Sequence, residues 1–192
     1  MAKTIITIGR EYCTGGNYIA EDVANALGIK LYDKELITMA AKNSGLSEEA
    51  VAASEKRHTH SLLYSLYTMG NDLPLGDQVF ILQSRIIKQL ADEGPCVIVG
   101  RCADYILRNR KDVFSFFIYA DDDFRAERGK LKYHGMSLKG LNREENRRKQ
   151  YYEFYTGQRW GDPTNYDMMI NTSGISLETA ANTILAYIQF CR

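Results

Sequence analysis

The chain has 192 residues, 45% hydrophobic and 25% charged, with 24 Lys plus Arg balancing 24 Asp plus Glu. This is an ordinary globular composition, long enough to bury a substantial core as one domain. Neutral charge offers no global field for nucleic acid or an anionic membrane, and no apolar run approaches the roughly 18 residues that would span a bilayer. Any anion site must therefore be built locally.

The opening MAKTIITIG lacks a signal-peptide core, so a cytoplasmic location is expected. Cys13, Cys96, Cys102 and Cys191 show no metal-ligand spacing. His58 and His60 lie two apart, on different faces of any helix, and no metal site is expected.

The first unit runs from Thr4 to Leu27. Ile5, Ile6, Thr7 and Ile8 form a β-branched strand ending at Gly9, a polar bend holds Gly15 and Gly16, and Ile19, Val23, Ala26 and Leu27 recur at helical spacing. Strand, glycine loop and helix aim backbone N–H groups and a helix N-terminus at one point, which favours a bound phosphate. The usual phosphate loop reads G-x-x-x-x-G-K-[ST]. Here Gly16 stands where its lysine belongs, and no Ser or Thr follows. Gly9, Thr14, Gly15, Gly16 and Asn17 are the candidate phosphate ligands, and Arg10 is the candidate cation. The plain alternative is a glycine turn joining a strand to a helix.

Gly28 ends that helix, and Ile29 to Tyr32 reads as a second strand. Asp33 is expected to cap a helix over Lys34 to Asn43, and Ser47 to open another. Ser61 to Asp72 is ambiguous between helix and ordered loop. Asp77 to Glu93 is a longer helix with Val79, Phe80, Leu82, Ile86, Ile87 and Leu90 inward. Cys96 to Val99 is apolar on both faces and suits a central parallel strand. Gly100 and Arg101 sit at its end, before a short helix over Ala103 to Arg108. Val113 to Tyr119 is a fourth strand, and Asp121 caps a helix to about Tyr133. Gly135 to Thr164 is polar, aromatic and basic, Asp167 to Asn171 is the last strand, and Ser176 caps a terminal helix through Phe190.

Alternating strands and helices predict an α/β fold with a five-stranded parallel sheet between two helical layers. The expected organisation is one domain over residues 1–192, with a core of 1–134 and 165–192 and a lid or insertion at about 135–164. Ligands in such sheets gather beyond the strand C-terminal ends. The glycine loop, Asp33 and Gly100-Arg101 all fall on that edge, with Cys13 and Cys102 near it as a candidate thiol pair. An arginine following a buried strand can present a bidentate fork to phosphate. Arg143, Arg147 and Arg148 share one predicted helix, with Arg159 beyond it. An arginine-bearing lid can neutralise a transferring phosphoryl group, although the same residues paired with Glu144 and Glu145 make an ordinary solvated face.

The segments TIGREYCTGGNYIA, LGIKLYDKELI, VIVGRCADYIL and FYTGQRWGDPTNYDMMINTSGIS together resemble the nucleoside monophosphate kinase fold and, more closely, the cytidylate kinase-like family. The resemblance implies a P-loop kinase-like fold. It implies phosphoryl transfer from ATP, aided by Mg²⁺, to a nucleoside monophosphate or similar small acceptor. Gly9 to Asn17 would hold the donor phosphates, Asp33 and Arg101 would lie at the acceptor site, and Arg143, Arg147, Arg148 and Arg159 would close over the transferring group. A small-molecule nucleotide is the expected partner, with no nucleic acid and no membrane, and a homodimer is compatible with the sequence. Gly16, Asn17 and Tyr18 depart from the kinase loop, and Cys102 stands where cytidylate kinases carry an acceptor-contacting aspartate. Arg10 could replace the lysine. The alternative is a catalytically inactive nucleotide or anion sensor.

Overall fold

The strand β1 (Ile5–Arg10) runs through the middle of a five-stranded sheet ordered β2-β3-β1-β4-β5. The structure, a computed structural model, describes residues 4–54, 73–133 and 135–191. In chain order after β1 come α1 (Gly16–Leu27), β2 (Lys30–Tyr32), α2 (Glu35–Ser44), α3 (Glu48–Ser54) and α4 (Leu75–Glu93). Then follow β3 (Cys96–Val99), α5 (Ala103–Ile106), β4 (Val113–Tyr119), α6 (Asp122–Lys132), α7 (Leu138–Thr156), a 3₁₀ turn (Pro163–Asn165), β5 (Met168–Asn171) and α8 (Leu177–Phe190). The expected segment at Ser61 to Asp72, and His58 and His60, lie outside the described residues.

All four strand pairings are parallel, with Ile8 opposite Val99 on one side and Phe116 on the other. Strand alternation assigns the two faces of the sheet. Ile6, Ile8, Val97, Val99, Phe116 and Ile118 pack against α1 and α8 through Ile19, Val23, Ala180 and Ile184. Ile5, Cys96 and Ile98 point the other way, to α2, α3 and α4 through Leu36, Val51, Val79, Ile87 and Leu90. The parallel sheet is thus covered on both sides, which is why its central strands read as continuous apolar runs. Among the described residues no helix is long and apolar enough to cross a membrane.

Local signals place most boundaries within two or three residues. Gly28 closes α1 at φ 63°, its amide reaching the carbonyls of Ala24 and Asn25, and the Ser176 hydroxyl accepts from the Thr179 amide at 3.0 Å. Asp33 departs from expectation. The residue capping α2 is Lys34, without a side-chain cap, because the Asp33 carboxylate is drawn to Asn17, Arg10 and Arg101 instead. Phe80 is only half-buried and stacks on Tyr155 of α7 at 4.1 Å between centroids. Buried Gln83, not an apolar residue, completes the inner face of α4.

Phe116 is wholly buried between the sheet and the α1/α8 layer. Phe116→Ala is expected to remove about 3–5 kcal/mol of stability, read as a lowered urea midpoint with an unchanged slope.

Candidate active site

Beyond the C-terminal end of β1 lies a cavity of about 460 Å³ whose lining includes Arg10, Asp33, Arg101, Asp104, Arg148 and Tyr152. It sits where the sheet order changes direction, with β3 on one side of β1 and β4 on the other, the usual ligand crevice of an open parallel sheet.

Arg10, the last residue of β1, sends its side chain across two glycines. A Cβ at Gly16 would lie 2.7 Å from the Arg10 Cβ, and a Cβ at Gly100 would meet its Nη1. Only glycine leaves room for this path. Along it, Arg10 Nε donates to Asn17 Oδ1 at 3.1 Å and Nη2 lies 3.5 Å from Asp33 Oδ1. Asn17 Nδ2 donates to Asp33 Oδ2 at 2.7 Å, and Arg101 Nη1 reaches Asp33 Oδ1 at 3.5 Å. The end of β3 makes the last contact possible through three successive left-handed residues, Gly100 (φ 72°), Arg101 (φ 51°) and Cys102 (φ 56°). Such backbone is costly for non-glycine residues and concentrates at functional sites.

The third guanidinium comes from α7. Arg148 Nη1 donates to the Arg10 carbonyl at 3.1 Å and its guanidinium lies 4.8 Å over the Tyr12 ring. Burial, then repulsion from Arg148 and Arg101, pushes the Arg10 pKa well below its ordinary value, with Asp33 opposing. Burial pushes Arg148 in the same direction, with Glu145 opposing. Burial leads both shifts, and because guanidinium stays charged at neutral pH the cavity is bordered by three closely placed cations, Arg10, Arg101 and Arg148.

Of the glycine loop, Gly9, Arg10, Tyr12 and Asn17 line the cavity, whereas Gly15 and Gly16 do not. Gly15, at φ 89°, precedes α1, and the amides of Gly16 and Asn17 open the helix, where backbone donors have no acceptor within the helix. Thr14 does not line the cavity: it is buried, and its hydroxyl donates to the Glu11 carbonyl at 3.1 Å.

α7 turns one stripe inward, Leu141, Glu145, Arg148 and Tyr152, at helical spacing. Leu141 and Tyr152 are fully buried. Arg143 and Arg147 belong to the neighbouring stripe, so Arg143 is 71% exposed and Arg147, at the cavity edge, pairs with Glu144 at 2.5 Å. Arg159 is exposed and does not line the cavity. Of the four expected lid arginines, Arg148 and, at the rim, Arg147 line this cavity, whereas Arg143 and Arg159 do not.

Several lining residues were not singled out in the sequence. Asp104, on α5, is buried at the cavity floor, where it accepts the Tyr152 hydroxyl at 2.7 Å. Tyr12 and Trp160 form further walls, the latter edge-on to Phe117 and Tyr152. The free thiols of Cys13 and Cys102 are both buried.

The fold is that of the P-loop kinases. A shikimate kinase from Bacteroides thetaiotaomicron superposes with a TM-score of 0.59 at 11% identity, covering 98% of this chain and 99% of that one. A gluconokinase from Sinorhizobium meliloti gives 0.55 at 13%, covering 98% and 97%. An uncharacterized protein from Eubacterium ventriosum is more similar, at 28% identity and TM-score 0.73 over 97% of this chain and 99% of that one. No curated protein matches the chain. The chain belongs to the cytidylate kinase-like family, whose profile matches residues 5–174.

Desolvation pushes the Asp104 carboxyl above the ordinary carboxylate range, with the Tyr152 hydroxyl opposing. Folded Asp104 therefore binds its proton more tightly than the unfolded chain does, and its contribution to stability falls as pH rises through the window between the two pKa values. Tyr152→Phe removes the hydroxyl and raises the folded value further. The variant is expected to lose about 1–3 kcal/mol at pH above that window. Melting temperatures from pH 4 to 8 should show the deficit shrinking on acidification.

Proposed function

We propose that the protein is a phosphotransferase that moves the γ-phosphoryl group of ATP to a nucleoside monophosphate or similarly small anionic acceptor in the cytoplasm. The observation that carries this reading is the convergence of Arg10, Arg101 and Arg148 on one cavity beside a glycine loop. In this reading the Gly9 to Asn17 loop receives the donor polyphosphate through its backbone amides. Arg101 and Asp33 orient the acceptor, and Arg148, with Arg147 at the rim, neutralises charge on the transferring oxygens. Arg10, at the end of β1, supplies the cation that Gly16 lacks.

The amides that open α1 fit a polyphosphate. Among the described residues no group of three or more His, Cys, Asp or Glu side chains is placed to hold a metal. Mg²⁺ would therefore ride mainly on the nucleotide's own phosphates, its usual mode, and neutralise part of their charge when bound. Cys102 gives no support to a preference for cytosine.

Purified protein with ATP, Mg²⁺ and a panel of nucleoside monophosphates is expected to release ADP above background with at least one acceptor. Arg148→Ala should lower kcat/KM about 10²- to 10³-fold, the worth of one transition-state donor. ATP binding with no turnover on any acceptor would instead favour the sensor reading, which Gly16 and the 48% exposed Tyr18 support.

Gly16→Lys, which would restore the lysine of the usual motif, is expected to lower anion affinity and turnover rather than raise them. Its Cβ would displace Arg10. Calorimetric titration with ATP against wild type checks this, and a gain in activity would count against Arg10 as the loop's cation.

A further inference from the structure

The glycine loop already holds an anion, and it belongs to the protein. Glu145 of α7 accepts the Tyr12 backbone N–H on Oε2 at 2.6 Å, while its Oε1 accepts the Trp160 indole N–H at 2.5 Å. Arg148, one turn further along α7, holds the Arg10 carbonyl. Two side chains of one helical stripe thus grip the loop on either side of Glu11.

We propose that Glu145 is an internal anion that occupies part of the donor-phosphate position and latches α7 over the loop until a polyphosphate displaces it. The inference rests on the phosphotransferase reading, because it takes the loop amides as the donor-phosphate site. Its physical basis is competition. The carboxylate uses an amide donor of the loop and lies in the field of Arg10 and Arg148, the two cations that a phosphate oxygen would seek. A polyphosphate carries the same sign of charge, so both cannot hold that position. A helix needing only to pack there could have used an apolar residue, as the same stripe does at Leu141. The indole donor on the second oxygen fixes the carboxylate in place. Binding then draws on the fraction of molecules with the latch open, and removing the latch raises that fraction.

The test uses inorganic tripolyphosphate, which carries the anion without a base or sugar, and calorimetric titration of the full chain. If the latched form is favoured about tenfold, Glu145→Ala is expected to bind about tenfold tighter than wild type, with Glu145→Gln in between. Trp160→Phe keeps the charge but removes the second donor, and should tighten binding by a smaller factor. It decides the matter if the Glu145 variants fail to fold, as judged by melting. Trp160 is the single tryptophan of the chain, so its emission should change when tripolyphosphate displaces the carboxylate. Equal or weaker binding by the variants, or wild-type binding with no emission change, overturns the latch. If wild type binds and the variants merely match it, only the latch is lost. If neither wild type nor any variant binds tripolyphosphate, the latch and the phosphotransferase reading fall together.

Discussion

The site depends on the path of one side chain. Arg10 leaves β1 over Gly16, passes Gly100 and ends between Asn17 and Asp33, so it touches the starts or ends of β1, α1, β2 and β3. Each of these elements is placed by its own burial in the sheet or a covering layer. The guanidinium is what makes their polar ends one electrostatic unit. Burial above all, and then the neighbouring Arg148 and Arg101, hold its pKa down, with Asp33 as the opposing counter-charge. An anion entering the cavity would relieve the repulsion among these guanidiniums, which links the fold's layout to a phosphate chemistry without invoking the missing lysine.

Much of the fold was legible because periodicity and turn chemistry agree with it. Val97 and Ile98 pack on opposite faces of the sheet, as an uninterrupted apolar run implies, and Gly28 and Ser176 end or begin helices by local bonds. The site was legible only in outline. Asp33 carries a good capping signal, yet the tertiary field of two arginines outweighs it. The meaning of Gly16 and Gly100 lies in the space they leave for Arg10, which no one-dimensional pattern records. α7 is different: Leu141, Glu145, Arg148 and Tyr152 form a readable helical stripe, bounded by residues of obvious core character. Arg143 and Arg147 lie on the stripe beside it, the former 71% exposed.

The buried polar floor has a related logic. Asp104 of α5 and Tyr152 of α7 both line the cavity and meet in a 2.7 Å bond. That bond joins α7 to the β3 end of the sheet, while Glu145 and Arg148 join it to the loop after β1. Between Glu145 and Tyr152 the helix thus meets Arg10 at the end of β1, Tyr12 in the loop after it and Asp104 of α5. A segment held by directional bonds, rather than by broad apolar packing alone, has a defined closed position and definable ways to leave it.

A smaller contact ties the order of assembly to the site. The Thr172 hydroxyl, just after β5, donates to the Thr14 carbonyl at 3.0 Å and fixes the inner wall of the glycine loop. Those partners are 158 residues apart, so the loop takes its final shape only once a strand distant along the chain has docked. Long-range closure of this kind slows folding. It also couples the shape of the glycine loop to the docking of β5.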